Sequence, residues 1–146
     1  MREPLLISAC LLGTACRYDG KSKGLSPEQI DRLQARYTLI PVCPEQLGGL
    51  PTPRTPAEHQ GNSVITADGR DVTVAYEKGA AEALRLAELL GCRKALLKER
   101  SPSCGMGHIY DGSFSGTLIP GNGTAAALLA KEGLEIYGES RWEELL

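Results

Sequence analysis

VAYEKGAAEALRLAELLGCRKALLKERSPSCG, residues 74–105, carries a helix, a strand and a turn in that order. The first eighteen residues are rich in Ala, Leu and Glu, with apolar positions at helical spacing and Gly91 at the C-terminal end. CRKALLKE (92–99) is then short and apolar at its centre, as a buried strand is. From Lys98 to Gly107 the chain holds a proline, two glycines, two serines and one cysteine, the composition of a turn. A structural cysteine prefers a buried, regular setting. Cys104, among small turn residues, is instead placed to be reached.

The same pattern recurs on both sides. SPEQIDRLQARY (26–37) is a helix with Ser26 as N-cap, Pro27 in the first turn and Gln29 completing a capping box. TLIPVC (38–43) follows as a strand that also closes on a cysteine, Cys43. PLLISAC (4–10) is an earlier apolar run closing on Cys10, while TAAALLAKEG (124–133) and LEIYGES (134–140) give a last helix and strand. Helices alternating with short apolar runs predict an α/β fold: a single compact domain, residues 1–146, with a mainly parallel, Rossmann-like sheet flanked by helices. Between these elements PEQLGGLPTPRTPAEHQGN (44–62) reads as a long loop, and loops of that length tend to be functional. SVITADGRDVT (63–73) reads as a hairpin about Asp68-Gly69, and SFSGTLIPGNG (113–123) as loop with one strand-like turn. GNGT (121–124) precedes a helix that Asn122 or Thr124 is expected to cap.

Bulk properties narrow the function. A length of 146 residues and 42% hydrophobic and 23% charged residues describe an ordinary globular chain. A net charge of −2 leaves no basic footprint for duplex nucleic acid, and 5% aromatics leave little for base-stacking platforms. No secretion signal or membrane span is legible, so a cytoplasmic location is expected. There thiols stay reduced, and five cysteines (10, 16, 43, 92 and 104) suggest metal binding or catalysis before disulfides.

In parallel sheets ligands sit outside the carboxyl ends of the strands. Cys10, Cys43 and Cys104 each follow a strand and so share that rim, the expected metal site; Cys92 begins a strand and belongs to the opposite rim. Three thiolates in one place repel one another unless a cation neutralises them. A metal ion would do so, and so would a [4Fe–4S] cluster, whose fourth iron would stay open as a Lewis acid for a soft donor such as sulfur. Small buried hydrophobes at strand ends would look the same. Cys16, six residues after Cys10, is a conceivable fourth ligand that would close the site.

SACLLG, RYDG (17–20), PVCPEQLGGLPTPRTPAE (41–58), KERSPSCG (98–105) and IYDGSFSG (109–116) resemble, in order and over nearly the whole chain, the signature blocks of the thiouracil desulfidases, a family of short bacterial proteins. The resemblance implies that Cys10, Cys43 and Cys104 hold a [4Fe–4S] cluster with one open iron. It implies removal of sulfur from a 2- or 4-thiouracil, as base or nucleotide, without net redox change. Cys16 is not a cysteine in many relatives, which leaves it outside the ligand set. The segment between Glu58 and Val64 is shorter than in many of them, so that wall of the pocket is expected to differ.

The chemistry then needs a base for water addition at the thiocarbonyl carbon. Glu45, two residues past Cys43, is the candidate, with Ser101 as proton relay. Ser8, Arg17, Tyr18, Arg54 and Ser103 are candidates for contacting substrate, Ser8 also for hydrogen-bonding the cluster and Tyr18 for stacking. Arg54 and Glu58 are expected to pair and shape the long loop or to reach the substrate, and Lys98 and Arg100 to balance the cluster's charge or meet a phosphate. His59 and His108 read as surface or loop residues rather than ligands. Two rival readings use the same thiols: a zinc hydrolase, and a non-catalytic iron–sulfur or zinc protein with Cys16 as fourth ligand. The expected partner is a small thiolated pyrimidine, with a homodimer allowed.

Overall fold

The computed structural model describes residues 2–22 and 24–146. Its centre is a parallel sheet of β1 (Glu3–Ser8), β2 (Tyr37–Val42), β5 (Lys94–Leu97) and β8 (Glu135–Gly138), in the order β2-β1-β5-β8. Helix α1 (Pro27–Arg36) joins β1 to β2, α3 (Thr73–Leu89) leads into β5, and α4 (Thr124–Lys131) leads into β8. These are the helices and strands the sequence predicts, with small shifts at their ends. The capping box is present as expected: Ser26 Oγ accepts from Gln29 N at 3.1 Å, and Ser26 N donates to Gln29 Oε1 at 2.8 Å.

Neighbouring side chains on a strand point to opposite faces, which is why the central strands, with both faces covered, carry the unbroken apolar runs Leu5–Ile7 and Ala95–Leu97. Leu6, Ala95, Leu97 and Ile136 pack with Ala87 of α3 and Ala126 and Leu129 of α4. Leu5, Ile7 and Leu96 pack on the other face with Leu33 of α1 and Leu145 of a 3₁₀ segment, Glu139–Leu145. That 3₁₀ segment takes the last residues of the expected final strand, which stops at Gly138. Cys92 is buried at the turn before β5, on the rim away from the other thiols.

The loops hold more structure than their composition announces. Residues 44–62 contain a helical turn, α2 (Pro44–Leu47), and a strand, β3 (Ala57–Gln60). β3 pairs antiparallel with β4 (Ser63–Thr66). The predicted hairpin about Asp68-Gly69 is therefore corrected: the turn is there, closed by Thr66 N–H donating to Arg70 O and an Ile65–Asp71 bridge, but the long partner of β4 lies before it. A second hairpin joins β6 (His108–Tyr110) to β7 (Leu118–Pro120). The helix after GNGT is capped by Gly123 with no side-chain bond; Asn122 Oδ1 instead accepts from Gly107 N at 2.8 Å.

Two glycines fix where α2 sits. A Cβ on Gly79, in the middle of α3, would lie 1.8 Å from the Pro44 carbonyl oxygen, and one on Gly48 would lie 2.0 Å from that of Ala75. Glycine inside a helix costs about 1 kcal/mol relative to alanine, and here it admits the backbone that carries Cys43 and Glu45. Gly79→Ala should consequently destabilise the protein by about 1–3 kcal/mol, against the usual gain of alanine in a helix, and thermal melting would show it.

Candidate active site

The order β2-β1-β5-β8 reverses direction between β1 and β5, and the crossovers leaving those strands diverge there. Cys10 follows β1 on a 3₁₀ turn, Ala9–Leu12, that ends at Gly13 with φ +99°. Cys43 follows β2 as the N-cap of α2. Cys104 lies past β5, its backbone held by Ser101, whose Oγ accepts from Ser103 N at 3.1 Å and Cys104 N at 3.0 Å. At this rim a cavity of about 620 Å³ is lined by all three cysteines and by Cys16. Ser8, Arg17, Tyr18, Glu45, Arg54, Lys98, Arg100 and Ser101 line it too. Ser103 does not: it is fully buried, its hydroxyl has no partner among the described residues, and its carbonyl receives the first amides of α4. A substrate contact from Ser103 therefore has no support in this geometry.

The cavity is unfavourable to bare thiolates. Burial first, then the nearby Cys43, pushes the Cys10 thiol up to about 11, with Lys98 pulling the other way. Burial and Cys43 together push Cys16 up to about 12. Burial raises Cys104 well beyond the ordinary thiol range, against an opposing hydrogen bond from Ser8; Glu45, Cys10 and Cys43 add to the rise. Cys10, Cys16 and Cys104 thus each sense neighbouring thiols, and a thiol that ligates a cation gives up its proton in doing so. Among the described residues, no three side chains of His, Cys, Asp or Glu are grouped so as to hold one metal ion. Thiolates on a single zinc ion all lie about 2.3 Å from it, whereas a polynuclear cluster spreads its ligands over separate irons. Three thiols are a soft donor set, of the kind that binds iron–sulfur clusters or zinc.

Glu45 is held from two directions. Its Oε2 is 3.0 Å from Arg54 Nη2 and 3.2 Å from Nε, and accepts from Tyr76 Oη at 2.9 Å. Arg54 also donates to the Cys16 carbonyl at 3.1 Å, the same oxygen that lies 3.7 Å from Cys43 Sγ. The expected Arg54–Glu58 pair is thus corrected: Arg54 turns to Glu45, and Glu58 Oε1 accepts from Gly112 N and Phe114 N. Lys98 pairs with Glu139 at 2.7 Å, and its backbone amide donates to Ser8 Oγ at 2.9 Å, tying the ends of β5 and β1 together. RYDG is a hydrogen-bonded turn, with the Arg17 guanidinium 5.8 Å from the Tyr18 ring centre. His59 is partly buried and its Nε2 lies 2.7 Å from Pro102 O, while His108 is exposed.

Matching against family models assigns residues 5–141 to 2-thiouracil desulfurase. The chain belongs to the 2-thiouracil desulfurase family. Over 152 residues it is 41% identical to YbbK, an uncharacterized protein of Bacillus subtilis strain 168, covering 97% of this chain and 99% of that one. The solved structure of TudS, a [4Fe-4S]-dependent thiouracil desulfidase, is 49% identical and superposes with a TM-score of 0.94, covering 99% of this chain and 95% of that one. The likeness is therefore to whole desulfurase-family proteins, and the sequence-level resemblance is confirmed.

Within this family framework Tyr76 is a site residue that sequence reading missed. It sits on α3 at a helical apolar position, is 2% exposed, and reads as core. Burial and Glu45 raise its phenol far above the ordinary range, so it stays a hydrogen-bond donor. Removing that donor with Tyr76→Phe should slow turnover about tenfold, the order of one hydrogen bond to a charged group. Steady-state kinetics on protein with unchanged iron content is the check. Tyr110 and Phe114 also line the cavity, and only their place in a signature block pointed there.

Proposed function

We propose that this protein is a hydrolytic desulfidase that converts a 2- or 4-thiouracil and water to uracil and hydrogen sulfide, with no change of oxidation state. Cys10, Cys43 and Cys104 would hold a [4Fe–4S] cluster. When bound, the cluster supplies an iron without a protein ligand, a Lewis acid suited to a thiocarbonyl sulfur. The observation that carries the reading is the convergence of three strand-end thiols on one cavity beside a carboxylate held by Arg54 and Tyr76.

Glu45 takes a proton from the water that adds at the thiocarbonyl carbon. Oε2 is fixed by Arg54 and Tyr76, while Oε1 has no hydrogen bond within the described residues and is free to face the cavity. Ser101 has spent its oxygen on two backbone amides, yet its hydroxyl hydrogen remains available to relay a proton to the departing sulfur. Arg17 and Tyr18 offer a cation and an aromatic face at the mouth. Lys98, half-neutralised by Glu139, offsets the negative charge of the thiolates. Ser8 is better spent on Cys104 and the Lys98 amide than on substrate.

No helix among the described residues is long and apolar enough to cross a membrane, and we place the enzyme in the cytoplasm, where its thiols stay reduced. Anaerobic reconstitution tests the assignment. The protein should turn brown, bind about four irons, and convert 2- or 4-thiouracil with release of sulfide. A colourless protein that binds zinc and leaves both compounds intact would exclude it. A second reading, a cluster carrier with Cys16 as fourth ligand, is favoured by the contact between Cys16 and Cys43. Cys16→Ser separates the two: it should spare a desulfidase and empty a four-cysteine carrier.

A further inference from the structure

Phe114 has φ +56°, the left-handed region that a bulky side chain rarely adopts. Such strain persists only where the surroundings impose it, and here they do. Phe114 lies on the loop between β6 and β7, Asp111 to Thr117, which is closed by Asp111 N donating to Thr117 O at 3.0 Å. β3 grips that loop. Glu58 Oε1 accepts from Gly112 N at 2.9 Å and from Phe114 N at 3.1 Å, and Gln60 Nε2 donates to Gly112 O at 3.0 Å. The loop also presses so close that a Cβ on Gly112 would lie 2.6 Å from His59 O.

The result of this clamping is a phenyl ring in the cavity wall that remains 37% exposed. A large apolar side chain held in a strained backbone, half in water, gains little for folding. Its position makes sense if something flat covers it. Tyr18 and Tyr110 line the same cavity, so aromatic surface is concentrated around an opening whose interior is thiol and carboxylate.

Resting on the desulfidase reading, we propose that Phe114 is the stacking platform for the pyrimidine ring, and that the β3–β4 hairpin holds it in place through Glu58. The ring plane would be set by Phe114 while the polar interior acts on the thiocarbonyl. Phe114 therefore governs recognition of the base rather than the rate of the bond changes.

Phe114→Gly tests this with two readouts that a structural role would not move in opposite directions. Glycine accepts φ +56° without strain, so thermal melting should stay level or rise, and iron content should be unchanged. KM for 4-thiouracil should nevertheless increase about tenfold, the low end of what stacking one base on one aromatic ring contributes, with the loss falling on KM rather than kcat. Phe114→Tyr should restore the wild-type KM. Glu58→Ala, which keeps the ring but frees it, should raise KM as Phe114→Gly does. A KM within twofold of wild type in Phe114→Gly overturns the assignment while leaving the desulfidase reading intact. Calorimetric titration of the reconstituted wild type with uracil separates the remaining case. A wild type that converts neither 2- nor 4-thiouracil and does not bind uracil overturns both.

Discussion

Alanine at Cys10, Cys43 or Cys104 is expected to give a colourless protein with no detectable thiouracil turnover. The three thiols come from separate crossovers, and since Cys16 also lines the cavity, each alanine variant is repeated in the Cys16→Ser background so that no neighbouring thiol replaces the lost one. The substitutions themselves are mild for the fold, because each removes one small side chain at the edge of the core rather than from its centre. Iron content, the visible spectrum and turnover should fall together, while thermal melting of the cluster-free proteins stays close to that of the cluster-free wild type. Cys92→Ala serves as the control: its thiol is buried at the other end of β5, and iron and turnover should persist. One of the three alanine variants retaining full iron and activity would remove that residue from the ligand set.

Glu45→Gln is the second large effect. The amide is nearly the same size and can still accept from Tyr76, so the cavity and its thiols should remain in place. It cannot take a proton, and turnover should fall by about 10²–10⁴-fold, the usual contribution of a positioned general base. Iron content and colour should match the wild type. Unchanged turnover would show that water is activated elsewhere. A drop accompanied by lost iron would show instead that Glu45 supports the Cys43 turn.

The sequence revealed those elements whose signals are local. The capping box of α1, the glycine after α3 and the apolar runs ending in cysteine are short-range patterns, and the parallel sheet follows from their alternation. The gathering of Cys10, Cys43 and Cys104 could be anticipated because topology, not sequence distance, places strand ends together. What stayed hidden depends on partners far along the chain. Tyr76 reads as a core residue until its hydroxyl is seen to meet Glu45, thirty-one residues earlier. Arg54 could pair with either of two carboxylates, and only the turn of the backbone at Pro44 decides for Glu45. β3 has no alternation to announce it; it exists because β4 and the Asp111–Thr117 loop both bond to it. Ser103 shows the converse: proximity to Cys104 in sequence does not put a side chain in the cavity, and Ser103 is fully buried outside its lining.

The place of β1 in the middle of the sheet bears on how such a protein matures. β1 is flanked on one side by β2, made soon after it, and on the other by β5, made much later. A nascent chain that ends before Cys104 can present two thiols but not the third, and the rim that would orient them is still missing half its frame. On the proposed three-thiol ligation, loading with iron and sulfide waits until β5 and the Cys104 turn have been made, so whatever delivers them recognises the assembled rim rather than a short emerging peptide.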